Sequence, residues 1–175
     1  LEKLRLKIIK SLHQTDRNNL LADGMDLALC IINEFTHDLY FAGANSPAYI
    51  LRSSIEGDKE NLGSVNFIEL KGDKMPIGSH IYDCKPYKTH KVQLKERDMI
   101  YIFSDGLKDQ IGGPKNKKFK SAQLRDFLSE IYCMPVSDQF EMIKNKIKHW
   151  TSFNNHNGIK SIQTDDICIM GVRIN

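Results

Sequence analysis

Carboxylates are concentrated at two places where they could do chemistry. The first is the stretch from Asp98 to Gln110, where Met99, Ile100, Tyr101, Ile102 and Phe103 run without a break into Ser104, Asp105 and Gly106. The second is the pair Asp165 and Asp166, which stands just before the apolar run Ile167 to Val172. A short apolar run closed by a turn signal reads as a buried strand. Asp105 therefore leaves a rigid element where the chain turns. Gly106 lets the backbone turn tightly and keeps bulk away from whatever Asp105 holds. If the two strands are antiparallel neighbours, the end of one lies beside the start of the other. Clustered carboxylates repel one another unless a cation sits among them. Hard oxygen donors of this kind suit magnesium or manganese. The competing reading is a pair of solvated acidic turns.

The totals bound the rest. A chain of 175 residues, 41% hydrophobic and 27% charged, suits one soluble domain spanning residues 1–175 with a real core. A net charge of +3 is too small to argue for nucleic acid. The densest basic cluster, Lys115, Lys117 and Lys118, reads as a solvated loop, with electrostatic steering of an acidic phosphoprotein as the alternative. No apolar stretch approaches about 18 residues, so direct membrane insertion is not expected. Cys30, Cys84, Cys133 and Cys168 form no CxxC pair, and Cys30 and Cys168 sit in apolar runs as buried thiols do. That pattern favours a reducing, cytoplasmic setting over disulfides or a zinc site.

The elements that must position the carboxylates follow from periodicity. Residues 1–14 place Leu1, Leu4, Ile8 and Leu12 on one helical face, predicting an amphipathic helix packed on a core. Strands are expected at Met25 to Ile32, Leu39 to Ala42 and Ala48 to Leu51, in an antiparallel meander. A further strand is expected at Val65 to Leu70. Tyr87 to Leu94 alternates and is expected to form a hairpin with the Met99 to Phe103 strand. Residues 15–23, 53–64 and 151–164 read as polar loops, the last carrying His156. Two helices follow the opening stretch. Leu124, Phe127, Leu128 and Ile131 stripe the first, with Ser121 as its N-cap. Val136, Phe140, Ile143, Ile147 and Trp150 stripe the second, and Phe140 and Trp150 are expected as core anchors.

Five segments in order carry a more specific likeness. They are residues 23–30 (DGMDLALC), 41–47 (FAGANSP), 74–78 (KMPIG), 103–113 (FSDGLKDQIGG) and 163–167 (QTDDI). Together they resemble the SpoIIE-like branch of the metal-dependent protein phosphatases, the PPM family. The resemblance implies an α+β fold, an antiparallel β-sandwich flanked by helices. It also implies hydrolysis of phosphoserine or phosphothreonine by a two-metal centre of Mn2+ or Mg2+, whose ions, about 3.5–4 Å apart, activate a water. No side-chain nucleophile is then required. By the same likeness Asp105 is a metal ligand, Asp165 is a second, and Asp166 is the alternative if the register shifts by one. Gly106 supplies backbone room, Cys168 is a packing substitution, and Gly43, Asn45 and Pro47 form a structural turn.

One departure stands out. The family's first metal motif, whose Asp bridges both ions, is not found, and Asp23 with Gly24 is no substitute for it. The chain is therefore expected to be the C-terminal portion of a phosphatase domain, weakly active or inactive alone. The resemblance further implies a phosphorylated regulatory partner, such as an anti-sigma-factor antagonist, and an upstream sensor domain. The rival reading is a non-catalytic, phosphatase-like module that binds a phosphoprotein or a partner domain.

Overall fold

A computed structural model describes residues 1–14, 23–54, 65–79, 85–154 and 161–175. Most of the loops expected at 15–23 and 53–64, part of the one expected at 151–164, and Cys84 and His156 lie outside the described residues. The chain divides into two compact units, Leu1–Tyr49 with Ile68–Glu96, and Ile50–Phe67 with Arg97–Asn175. No helix among the described residues is long and apolar enough to cross a membrane.

The first unit begins with α1 (Glu2–Ser11), as the heptad-like spacing of Leu1, Leu4 and Ile8 predicts. None of its residues is fully buried and Leu12 is 51% exposed, so this face is only half covered. Strand β1 (Gly24–Met25) pairs antiparallel with β6 (Ile77–Gly78), and α1 lies against β6. Gln14 fastens the helix end there, donating to the Asp23 carbonyl at 2.6 Å and accepting the Ser79 N–H at 2.9 Å. Strands β2 (Leu27–Ile32), β3 (Asp38–Ala44) and β7 (His90–Gln93) form one antiparallel sheet in the order β2-β3-β7. Leu39 and Phe41 alternate inward from β3 and are fully buried, whereas Tyr40 between them faces out.

A four-stranded sheet runs in the order β11-β8-β4-β5. Its strands are β4 (Ala48–Ser53), β5 (Val65–Leu70), β8 (Met99–Phe103) and β11 (Ile169–Arg173). Around it stand α2 (Gly106–Asp109), a ribbon of β9 (Ile111–Gly112) with β10 (Lys117–Lys118), α3 (Lys120–Ile131) and α4 (Val136–Thr151). Leu124, Phe127, Leu128 and Ile131 of α3 are all buried, as their spacing predicts. Each such side chain contributes on the order of 1.5–3 kcal/mol by leaving water. The turn between α3 and α4 is tied to the sheet by polar groups. The Tyr101 hydroxyl donates to Gln139 Oε1 at 2.6 Å, and Gln139 Nε2 donates to the carbonyls of Tyr132 and Met134 at 3.0 and 2.9 Å. Arg173 from β11 donates to the same two carbonyls. Burial pushes the Tyr101 phenol far above its ordinary range, so it stays protonated and keeps donating.

Several expectations are corrected here. β3 and β4 do not continue a meander: β3 takes β7 as its second partner, and β4 joins the other sheet. The switch occurs where Asn45 takes a left-handed φ of 54°; its N–H donates to the Asp73 carbonyl at 2.8 Å, and the Asp73 N–H donates to the Gly43 carbonyl at 2.9 Å. A Cβ at Gly43 would run into the Ser46 carbonyl, which is why the turn needs glycine. β7 and β8 likewise form no hairpin, since they belong to different sheets. Ser121 is not the N-cap of α3; Phe119 holds that position and no side chain caps it. Cys168 is exposed rather than buried, and Cys30 is half-buried. Lys117 and Lys118 are exposed as expected but lie on a strand. On α4, Trp150 packs edge-on to Phe119 with ring centroids 5.1 Å apart, whereas Phe140 is 62% exposed and anchors no core.

Candidate metal centre

The two acidic turns meet because β8 and β11 are antiparallel neighbours in one register. Phe103 faces Ile169 and Met99 faces Arg173. The end of β8 therefore adjoins the start of β11, and Ser104 closes the junction. Its backbone N–H donates to the Cys168 carbonyl at 3.0 Å. Its hydroxyl accepts the Cys168 N–H at 2.9 Å and donates to the Asp166 carbonyl at 2.8 Å. One side chain thus satisfies a donor and an acceptor of a segment that has left the sheet ladder.

Asp105 follows at once and occupies the N-cap position of α2 in helical conformation, with its carbonyl accepting the Asp109 N–H at 3.0 Å. Its carboxylate makes no capping bond to the helix, and the residue is half-buried. The next residue, Gly106, is buried against the opposite turn. A Cβ there would run into the Asp166 carbonyl oxygen, which defines why this position must be glycine. On the far side Asp165 and Asp166 are both exposed. Asp165 Oδ1 accepts the Asp166 N–H at 2.8 Å, and its carbonyl accepts Gln163 Nε2 at 2.9 Å. Asp166 turns its backbone toward Ser104 and Gly106.

Gln110, to which no motif assigns a role, bridges the elements around these turns. It is fully buried, and its Nε2 donates to the carbonyls of Ile111 at 2.8 Å and Ile162 at 3.0 Å. Its own carbonyl accepts Trp150 Nε1 at 3.1 Å and the Phe119 N–H at 3.0 Å. Gln110 thereby links the end of α2 to the segment that leads into Asp165. Ser104 was equally unmarked as a contributor. A polar residue directly after an apolar strand was the signal available for it. Gln110 was harder to find, because a buried Gln looks like any surface Gln in sequence.

The donors present have the chemistry a hard divalent cation requires, namely carboxylate oxygens on adjoining turns of a rigid frame. Among the described residues, however, no three His, Cys, Asp or Glu side chains group closely enough to hold an ion. His13, His37, His90 and His149 lie elsewhere; His90 packs on Phe41 and His149 on Phe153.

Known proteins share this fold. The chain is similar to the SiaA-PP2C domain of Pseudomonas aeruginosa, with a TM-score of 0.68 and 25% identity over 99% of this chain. It is also similar to the phosphatase domain of the cell fate determinant SpoIIE from Bacillus subtilis, with a TM-score of 0.55 and 18% identity over 99% of the chain. The manganese-presoaked form of that domain gives 0.56 and 19% over 100%. The chain spans 66% of the length of each of these solved structures. No curated protein sequence matches it. The expected α+β phosphatase fold is thus the observed one. The family profile described as Stage II sporulation protein E matches residues 4–175. The chain belongs to the Stage II sporulation protein E (SpoIIE) family.

Proposed function

We propose that this chain carries one side of a metal-dependent protein phosphatase centre, in a domain that hydrolyses phosphoserine or phosphothreonine on a signalling protein. The observation that carries the reading is the Ser104 junction, which holds Asp105 and the Asp165–Asp166 turn together. Asp105 and Asp165 are the ligands in this reading. Asp166 commits its backbone to the junction and serves as the alternative ligand through its exposed carboxylate. A manganese or magnesium ion held there would lower the pKa of a bound water and offset phosphate charge. The protein's own part is to fix the carboxylates before the phosphate arrives: β8 and β11 set their separation, Gly106 admits the opposing backbone, and Gln110 steadies the approach to Asp165.

Because the described residues furnish too few donors, the reading places the remaining ligands outside them, and the chain by itself is weakly active or inactive. The partner is a phosphorylated regulator such as an anti-sigma-factor antagonist, with sensory input from an upstream domain and a cytoplasmic setting. The test is manganese titration by calorimetry, with hydrolysis of a phosphopeptide by this chain and by a version extended upstream. Manganese binding that weakens in Asp105→Asn, with turnover mainly in the longer protein, is the expected result. Robust and equal turnover by both forms would sink the requirement for further donors. The sparse donor set also favours a second reading, a non-catalytic module that binds a phosphoprotein. No manganese binding in the longer form, with retained phosphopeptide binding, would select it.

A further inference from the structure

Trp150, in the last turn of α4, is tied to both acidic turns through one residue. Its indole Nε1–H donates to the Gln110 carbonyl at 3.1 Å, and the Phe119 N–H donates to the same oxygen at 3.0 Å. Gln110 directly follows α2, and its own N–H donates to the Leu107 carbonyl at 3.2 Å. That short helix starts at Asp105, whose carbonyl accepts the Asp109 N–H at 3.0 Å. From its side chain Gln110 reaches the other way, donating Nε2 to the Ile162 carbonyl at 3.0 Å, three residues before Asp165. The residue that the indole holds therefore stands between Asp105 and the lead-in to Asp165.

The indole has a built seat. A Cβ at Gly112 would come 2.8 Å from Trp150 Cδ1, and one at Gly113 would come 2.5 Å from Cζ3 and Cη2. Two successive glycines thus clear a notch for the ring. The Gly113 N–H donates to the Trp150 carbonyl at 2.8 Å, so main chain and ring are both held. Phe119 meets the ring edge-on, with centroids 5.1 Å apart. A large apolar side chain would fill such a notch; the N–H adds a directional bond to one particular oxygen. Gln110 shows the same preference for bonds over filling. Its buried Oε1 has no hydrogen-bond partner, a cost that an apolar side chain in that space would avoid.

We propose that Trp150 is a positioning residue for the phosphatase centre, setting the Asp105 turn against the Asp165–Asp166 turn through Gln110. The proposal rests on the phosphatase reading of those carboxylates. It names α4 as the element that governs how tightly they hold a cation.

Trp150→Phe keeps a ring in the notch and removes the N–H. Phe119→Leu is its companion, because it loosens the packing on the same ring and leaves the indole its bond to Gln110. Both are compared with the unsubstituted full-length protein by urea denaturation, amide hydrogen exchange and manganese calorimetry. In Trp150→Phe, exchange at residues 104–107 and 165–168 should quicken about fivefold, the factor for one lost hydrogen bond, with β4 unchanged. Manganese binding should weaken by about the same factor. Phe119→Leu should move both readouts by less than about twofold, whatever stability it loses. Gln110→Leu keeps the carbonyl and loses the Ile162 bond, so it should quicken exchange at 165–168 alone.

Equal effects of Trp150→Phe and Phe119→Leu, or exchange that quickens only in α4 and the β9–β10 ribbon, would give Trp150 a structural role alone and overturn the proposal. Manganese affinity that Trp150→Phe leaves unchanged overturns it too, as does a Gln110→Leu protein whose 165–168 turn exchanges at the original rate. An unsubstituted protein that binds no manganese would count against the phosphatase reading, while the exchange comparison still judges the link from Trp150 to the two turns.

Discussion

Ser104 donates its hydroxyl to the Asp166 carbonyl at 2.8 Å while accepting the Cys168 N–H at 2.9 Å. Ser104→Ala removes both bonds and leaves a donor and an acceptor to find water. Each bond is worth about 1 kcal/mol, so a loss of about 1–2 kcal/mol in urea denaturation is expected. Manganese affinity should fall further than stability does, because the Asp165–Asp166 turn loses its anchor. Calorimetry on the Ser104→Ala protein checks this, and unchanged affinity would show that the junction does not position the carboxylates.

Gly106→Ala puts a methyl group where the Asp166 carbonyl already stands. Backbone cannot rotate away as a flexible side chain can, so the two turns must separate. Overpacking of this kind costs about 1–3 kcal/mol. Thermal denaturation should register that loss, and phosphatase turnover of the complete domain should drop by more than the unfolding alone accounts for.

Asp98 opens β8, is fully buried, and receives Arg52 through two bonds at 2.8 and 2.5 Å. The carboxylate beside it pushes the Arg52 guanidinium pKa up, chiefly through the hydrogen bond. Asp98→Ala leaves a largely buried cation without that partner, and breaking such a pair costs about 3–5 kcal/mol. Denaturant midpoints would expose the loss. Because Asp98 also gives its carbonyl to the Ile174 N–H at 3.0 Å, β11 should exchange its amides faster as well.

Asp38 pairs with Lys91 across β3 and β7 at 3.0 Å, and the Lys91 hydrogen bond holds its carboxyl below the ordinary value of 3.8. A carboxyl whose pKa is lowered on folding stabilises the fold above its unfolded value and loses that benefit as pH falls through the folded value. The stability gap between the natural protein and Lys91→Met should therefore be present at neutral pH and close below about pH 4. Urea titrations at several pH values test the sign; a gap that widens in acid would refute it.

What sequence could and could not say divides along physical lines. The α3 stripe and the β5 and β8 strands were legible because periodicity is local, and Leu124 to Ile131 bury as their spacing requires. The contact of the Ser104–Gly106 turn with the Asp166–Cys168 backbone follows from two strand ends and one assumption about pairing. Strand partners were harder. Nothing in residues 87–98 announces that β7 turns to β3 instead of β8, since that choice is made by distant residues. The α4 stripe shows a different limit. A helical pattern tells which face is apolar, and Phe140 shows that it does not tell whether anything lies over that face. The four-residue α2 was too short to leave a period.

The Phe103–Ile169 register has a consequence for how the chain tolerates change in length. Side chains on a strand alternate faces, so one residue inserted into β8 or β11 would invert everything beyond it. Such an insertion would carry Asp105 or the Asp165–Asp166 turn to the wrong side and uncouple Ser104 from its two partners. Residues 98–110 and 163–173 thus behave as two rulers of fixed length. The ribbon of β9 and β10 between them is held by other bonds, Gly113 donating its N–H to the Trp150 carbonyl at 2.8 Å.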